Sequence, residues 1–360
     1  MAKITLDNLA HSYLPNPTSE DDFALKELNH DWVDGEAYAL LGASGCGKST
    51  LLNIISGLLH PSQGRILFND RDVTNDPTTK RNIAQVFQFP VVYDTMTVRD
   101  NLAFPLRNRG ADAAYVAQRV QQIAGMIGME DMLNRKARGL TADAKQKISL
   151  GRGMVREDVN ALLFDEPLSN LDVQLRATMR TELASLLGRL NTTVVYVTHD
   201  VTEALALADR ILVLDQGRAV QLDTARAVFS RPATPWVAAM AGFSSRLVPQ
   251  VVRHDESTAH ATFGGESLRG QACGEGPDGE PHVFIHPDAV TLAEGLHAVE
   301  EGTVSGVVQS CVYEGRGYRV TVHVADAGQV TVMSPWALEV ATTVALAIDP
   351  EGVLVFGRAA

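Results

Sequence analysis

The octapeptide "GASGCGKS", Gly42 to Ser49, lies between an apolar run, Tyr38 to Leu41, and an amphipathic stretch that begins near Lys48. A strand, a glycine turn and a helix in that order dictate the local fold. The glycines let backbone N–H groups wrap an anion at a helix N-terminus, which makes a cradle for phosphate. Lys48 is then placed to reach β- and γ-phosphates, and the Ser49 hydroxyl is a ligand for Mg²⁺. Gly42, Ala43, Ser44, Gly45, Cys46, Gly47 and Thr50 complete the candidate nucleotide site, with Cys46 as a small filler inside the loop.

A chain of 360 residues with 45% hydrophobic side chains suits two cores rather than one. From residue 1 to 240, short aliphatic or β-branched runs alternate with amphipathic helical stretches, as a parallel sheet covered by helices requires. Within this α/β domain a helical subdomain is expected at about residues 92–155. A Gly- and charge-rich stretch, His254 to His282, breaks the rhythm. Short alternating strands follow from Thr303 to Met333, so residues 241–360 are expected to form a small all-β barrel or sandwich.

The net charge of −12 argues against a nucleic-acid binder, which needs a basic face to displace counterions. Cys46, Cys273 and Cys311 have no CxxC spacing, so neither a disulfide framework nor a zinc site is indicated, and a reducing compartment fits. No apolar run reaches the ~18–20 residues that cross a bilayer. Work at a membrane would be done from its surface.

Downstream, "ALLFDEP" is an apolar strand ending in two acids. Asp165 suits Mg²⁺, and Glu166 suits polarising a water, because γ-phosphoryl transfer needs neutralised charge and a positioned nucleophile. A second apolar strand, "TTVVYVTHD", ends in His199, which can donate to charge developing on a phosphate.

With "LLFDEP", "SNLD" and "VTHD" following the phosphate loop, and "VFQ" at Val86 to Gln88, the first two-thirds of the chain resembles the ATPase subunits of ABC transporters. The resemblance implies an ABC-type ATPase domain with a mixed sheet and helical subdomain, ATP and Mg²⁺ as cofactors, and a catalytic group of Glu166, His199 and Gln88. It also implies that Gln88 touches the metal together with Ser49 and Asp165, that Tyr13 stacks on adenine, and that Asp172 lies in the loop that reports across an ATPase dimer. "FIHPDAV", Phe284 to Val290, looks like the marker of a C-terminal OB-like regulatory domain in sugar- and polyol-importer ATPases, with His286 where arginine is usual. The partners implied are two transmembrane permease subunits, a second ATPase subunit and, indirectly, a solute-binding protein, with the chain on the cytoplasmic face of a bacterial inner membrane.

One stretch departs from the family pattern. The signature, usually Leu-Ser-Gly-Gly-Gln, grips in trans the γ-phosphate held by the other subunit; here it is Leu140-Thr141-Ala142-Asp143-Ala144. Thr141 keeps a hydroxyl, Ala142 changes little, Asp143 brings an anion, and Ala144 removes an amide. A helix N-terminus favours an anion by ~0.3–1 kcal/mol, whereas two unit charges ~4 Å apart repel by about 4 kcal/mol at an effective dielectric near 20. The expectation is an asymmetric heterodimer with a non-identical second ATPase. The loop after Gln88, through Tyr93 and Met96, is expected to receive a permease segment. "NIAQVFQFPVVYDTMTVRDNLAFPLRNRG" looks like the glycerol-importer branch, so the solute expected is glycerol or a related polyol or sugar. The alternatives are a glycerol phosphate or sugar importer, and a slow-turnover regulatory or scaffold subunit.

Overall fold

A computed structural model describes residues 2–190, 192–255, 257–274, 279–293 and 302–357. Two compact units divide at Ala225/Arg226, earlier than the change of rhythm near residue 240. Phe229 and Ala238, on the short helical stretch before 240, pack with Phe243, Phe284 and Phe356. That aromatic cluster assigns the stretch to the β unit.

The first unit opens with β1 (Ile4–His11), β2 (Leu25–Trp32), β3 (Ala37–Leu41), α1 (Lys48–Ser56), β4 (Gln63–Phe68), β5 (Arg71–Asp72), α2 (Thr78–Arg81) and β6 (Ile83–Val86). Three helices follow, α3 (Val98–Arg107), α4 (Ala113–Met126) and α5 (Ala142–Met154), and then β7 (Ala161–Asp165), α6 (Val173–Leu187), β8 (Thr193–Thr198), α7 (Val201–Leu207), β9 (Arg210–Asp215) and β10 (Arg218–Thr224). The central sheet runs β10-β9-β3-β8-β7-β6. Its strands are parallel except for β10, which pairs antiparallel with β9 at the edge. Every residue of "TVVYVT" in β8 is buried, as a strand covered on both faces requires.

A second, antiparallel sheet runs β2-β1-β4-β5 and shares a core with α1 and the central sheet. The helices between 98 and 154 build another core with α6 and β7, through Leu102, Val120, Ile148 and Leu183. Thr97, Asp112 and Thr141 begin α3, α4 and α5 by accepting from backbone N–H groups, the local signal that starts a helix.

The second unit carries an eleven-stranded sheet among its described residues. Part of the Gly- and charge-rich stretch is strand rather than interruption: Val251–Asp255, Thr258–Phe263 and Glu266–Ala272 form an antiparallel meander. Ala259, Ala261 and Phe263 alternate inward to its core. Residues 256 and 275–278 of that stretch lie outside the described residues. His286 begins a short turn by accepting from the Asp288 N–H at 3.3 Å, edge-on to Phe229 and Phe243.

Candidate active site at the carboxyl ends of the central strands

Strands β3, β8 and β7 are hydrogen-bonded neighbours, and register pairs Leu41 with Thr198 and Val197 with Asp165. The three loops that leave them carry the phosphate cradle, His199 and Glu166. Parallel sheets bind ligands in this crevice.

The cradle depends on two glycines. A Cβ on Gly42 would stand 2.3 Å from the Leu214 carbonyl, and Gly47, at φ +105°, is the left-handed residue from which α1 starts. Lys48 is buried, and its Nζ donates to the carbonyls of Gly42 at 2.9 Å and Ala43 at 2.8 Å. The ammonium is held by its own loop, where an incoming phosphate could compete for it. Cys46 is buried, and burial pushes its thiol up, as suits a filler side chain.

Asp165 ends β7. Its carboxyl is pushed up from the usual range by burial first and by the neighbouring charge of Glu166 second, against the opposing hydrogen bond from Ser49. A half-buried acid bonded to the Ser49 hydroxyl in the first turn of α1 is a fitting donor set for a hard cation. Glu166 has φ +43°, an uncommon conformation for a side-chain-bearing residue, and its N–H is fixed by the Val197 carbonyl at 3.1 Å. Its Oε2 lies 3.1 Å from Nδ1 of His199. When Nδ1 carries the proton in that bond, the other ring nitrogen is left to face a ligand.

Gln88 follows β6. Its Nε2 donates to the Ser169 hydroxyl at 3.2 Å, Ser169 donates to the Glu166 carbonyl at 2.9 Å, and the Gln88 carbonyl accepts from Asn170 at 3.1 Å. Ser169 thus joins Gln88 to the turn of Glu166. It stands inside "SNLD", and nothing in its type or spacing singled it out. Tyr13 is 64% exposed, its hydroxyl lies 3.1 Å from Thr50 Oγ1, and its ring stands edge-on to His11 at 4.7 Å. The residue expected to meet adenine is therefore beside the first turn of α1.

Asp172 caps α6 by accepting from the Leu175 N–H at 3.0 Å. The signature stretch makes local bonds: Thr141 Oγ1 accepts from the Ala144 N–H at 3.3 Å. Thr141, not Asp143, is the cap. Asp143 keeps Oδ1 buried with no hydrogen-bond partner. In the loop after Gln88, Phe89 and Val91 are exposed, and Arg152 lies 4.6 Å over the Tyr93 ring. A cavity of about 210 Å³ opens there, lined by Gln85, Phe87, Val91, Pro105 and Arg152 among others.

Residues 25–169 match the family model for the ABC transporter, and residues 283–356 match the TOBE domain. The chain is 39% identical over 323 residues to sn-glycerol-3-phosphate import ATP-binding protein UgpC 3 of Agrobacterium fabrum, covering 90% of this chain and 88% of that protein. It is 41% identical over 278 residues to UgpC of Cupriavidus necator, covering 73% and 74%. Among solved structures, cbiO1 from Clostridium perfringens, part of the ABC transporter complex cbiONQ, superposes with a TM-score of 0.57 at 26% identity, covering 63% of this chain and 90% of its own. Likeness at this identity, over nearly all of both chains and through both of its units, leaves one conclusion: the chain belongs to the ATP-binding proteins of ABC transporters, and it is a transport ATPase.

Proposed function

We propose that this ATPase drives inward transport of a small polyol or its phosphate ester, bound peripherally to two permease subunits on the cytoplasmic face of a bacterial inner membrane, with a solute-binding protein outside. The curated relatives are named for sn-glycerol-3-phosphate, which favours the phosphate ester over free glycerol. The observation that carries the catalytic reading is the 3.1 Å contact between His199 and Glu166 on loops adjoining the Lys48 cradle.

In this reading Lys48 exchanges the carbonyls of Gly42 and Ala43 for phosphate oxygens, Tyr13 stacks on adenine, and Glu166 orients the attacking water. His199 holds Glu166 and turns its second nitrogen to the γ-phosphate. Ser49, Asp165 and Gln88 are the residues that would hold Mg²⁺, which when bound neutralises charge on the phosphate oxygens. ATP closes a dimer, and closure moves the permease segments seated on the loop through Tyr93 and Met96. The test is uptake in cells lacking the native chain and supplied with wild type or Glu166→Gln: labelled sn-glycerol-3-phosphate should enter only with wild type. Equal uptake with both would overturn the catalytic reading, and entry of free glycerol alone would overturn the solute.

One observation favours asymmetry between the two nucleotide sites. Asp143 brings a buried oxygen without a donor to the stretch that faces the other subunit's nucleotide in this family, so two identical copies would repel both γ-phosphates. A non-identical second ATPase with a normal signature resolves the conflict. Strong, cooperative hydrolysis by the purified chain alone would sink that reading.

A further inference from the structure

The turn that carries His199 is held from inside by a carboxylate with no part in the chemistry above. Glu203, in the first turn of α7, is 3% exposed. Its Oε2 accepts from the Tyr196 hydroxyl at 3.0 Å and from the Thr198 hydroxyl at 2.8 Å. Thr198 Oγ1 in turn accepts from the Asp200 N–H at 3.0 Å. Asp200 caps α7, accepting from the N–H of Thr202 at 2.7 Å and of Glu203 itself at 3.3 Å.

These bonds close around one residue. The residue before His199 and the residue after it are both tied to Glu203, while the imidazole between them meets Glu166 at 3.1 Å. Burial pushes the Glu203 carboxyl up, against the bonds from Thr198 and Tyr196, with a further push from the Asp200 charge and a smaller opposing one from Arg176 on α6. The same guanidinium donates to the carbonyls of Ser169 and Leu171, each at 3.1 Å, in the turn that follows Glu166. Burying a carboxylate is costly, and an apolar side chain of similar size often holds a helix on a sheet as well or better. What an apolar residue cannot do is accept two hydroxyls and fix a turn between them.

We propose that Glu203 is a positioning residue for ATP hydrolysis: through Thr198 and Asp200 it sets the direction of His199 toward Glu166 and the γ-phosphate. The inference rests on the reading of Glu166 and His199 given above. It predicts a loss in turnover rather than in nucleotide binding.

The test is steady-state ATP hydrolysis by the transporter assembled with its permeases. Glu203→Ala should lower kcat by about tenfold or more and leave KM for ATP nearly unchanged. Glu203→Gln keeps an acceptor oxygen in the same shape and should restore most of the turnover. Thr198→Val keeps the volume and removes the linking hydroxyl; it should follow Glu203→Ala, and it decides the matter if that variant does not fold. A merely structural role would not survive a double-mutant comparison: if Glu203 acts through His199, the double variant His199→Ala/Glu203→Ala is no slower than His199→Ala alone. Additive losses, or wild-type turnover in Thr198→Val, would overturn the proposal while leaving the site reading intact. Wild-type turnover in His199→Ala would overturn both.

Discussion

Asp165 and Glu166 are consecutive carboxylates at the end of a buried strand. Burial, helped by the charge of Glu166, pushes Asp165 up from its ordinary value. An acid whose pKa is raised on folding holds its proton more tightly folded than unfolded, so ionising it costs stability. The cost is absent below the ordinary carboxylate range and fully present above the raised folded value. Asp165→Asn is therefore expected to raise the thermal midpoint of the nucleotide-free chain at neutral pH, by an amount that shrinks toward zero as acid protonates the wild type. The same variant should lose most of the thermal shift that Mg-ATP gives the wild type. Thermal unfolding across pH, with and without Mg-ATP, checks both, and a lower midpoint at neutral pH would refute the first. Asp143 poses the opposite problem, an oxygen buried without a donor, at a cost of about 1–3 kcal/mol. Asp143→Ala should stabilise the isolated chain by roughly 1 kcal/mol in urea unfolding, once the smaller helix-dipole benefit is subtracted. If the carboxylate also repels a γ-phosphate in trans, Asp143→Gly should raise ATP turnover by the lone chain.

At the level of elements, α1 ends on the left-handed Gly57 and is clamped there by a residue that its own sequence does not contain. Arg81 is fully buried, and its guanidinium donates to the carbonyls of Ile54 and Ile55, the latter at 3.0 Å, and to those of Thr74 at 2.8 Å and Asp76 at 3.0 Å. Two of these carbonyls belong to the last turn of α1, so one planar fork closes the helix whose first turn carries Lys48 and Ser49. Arg81→Met takes the guanidinium from four carbonyls, of which that of Ile54 keeps the Gly57 N–H at 3.2 Å, and should cost about 3 kcal/mol or more in denaturant unfolding. Arg81→Lys should rescue little, because one ammonium cannot reproduce the fork. Both ends of α1 carry a glycine signal, Gly47 before it and the left-handed Gly57 after it, whereas the Arg81 clamp was not legible, because it lies 27 residues away from Ile54 and binds backbone atoms that carry no side-chain signature. Helix starts at Thr97, Asp112 and Thr141 are local by contrast: each cap is the residue adjoining its helix. The loop after Gln88 stood out by its aromatics, but Arg152 stacked on Tyr93 did not. Tyr93→Asp is expected to reduce transport while ATP binding persists; uptake equal to wild type would refute the docking role given to this loop.

Across the whole molecule, what could be read from the sequence was set by how far apart the cooperating residues lie in the chain. The phosphate cradle is eight consecutive residues, and β7 and β8 end in their own acids and histidine, so the candidate site assembles from short motifs. Its bracing, by Ser169, Arg176 and Glu203, depends on which strand neighbours which, a property of the sheet order rather than of any one segment. The β unit was harder for a related reason. Gly264 and Gly265, both at positive φ, look like a break, yet they are the bend that lets two short strands pair. Each unit nevertheless builds a core from its own residues, and every residue assigned to the nucleotide lies in residues 1–225. The consequence is a calorimetric one. The full chain should unfold in two transitions, and a nucleotide that binds only the folded first unit should move one of them, by about 2.7 kcal/mol of stabilisation at a hundredfold excess over Kd. Lys48→Ala should abolish that shift without moving the other transition, because it removes a cation from the cradle and touches nothing in the β core. Were both transitions to rise together with Mg-ATP, the units would be unfolding as one cooperative body, and nucleotide binding would be stabilising the β unit along with the site.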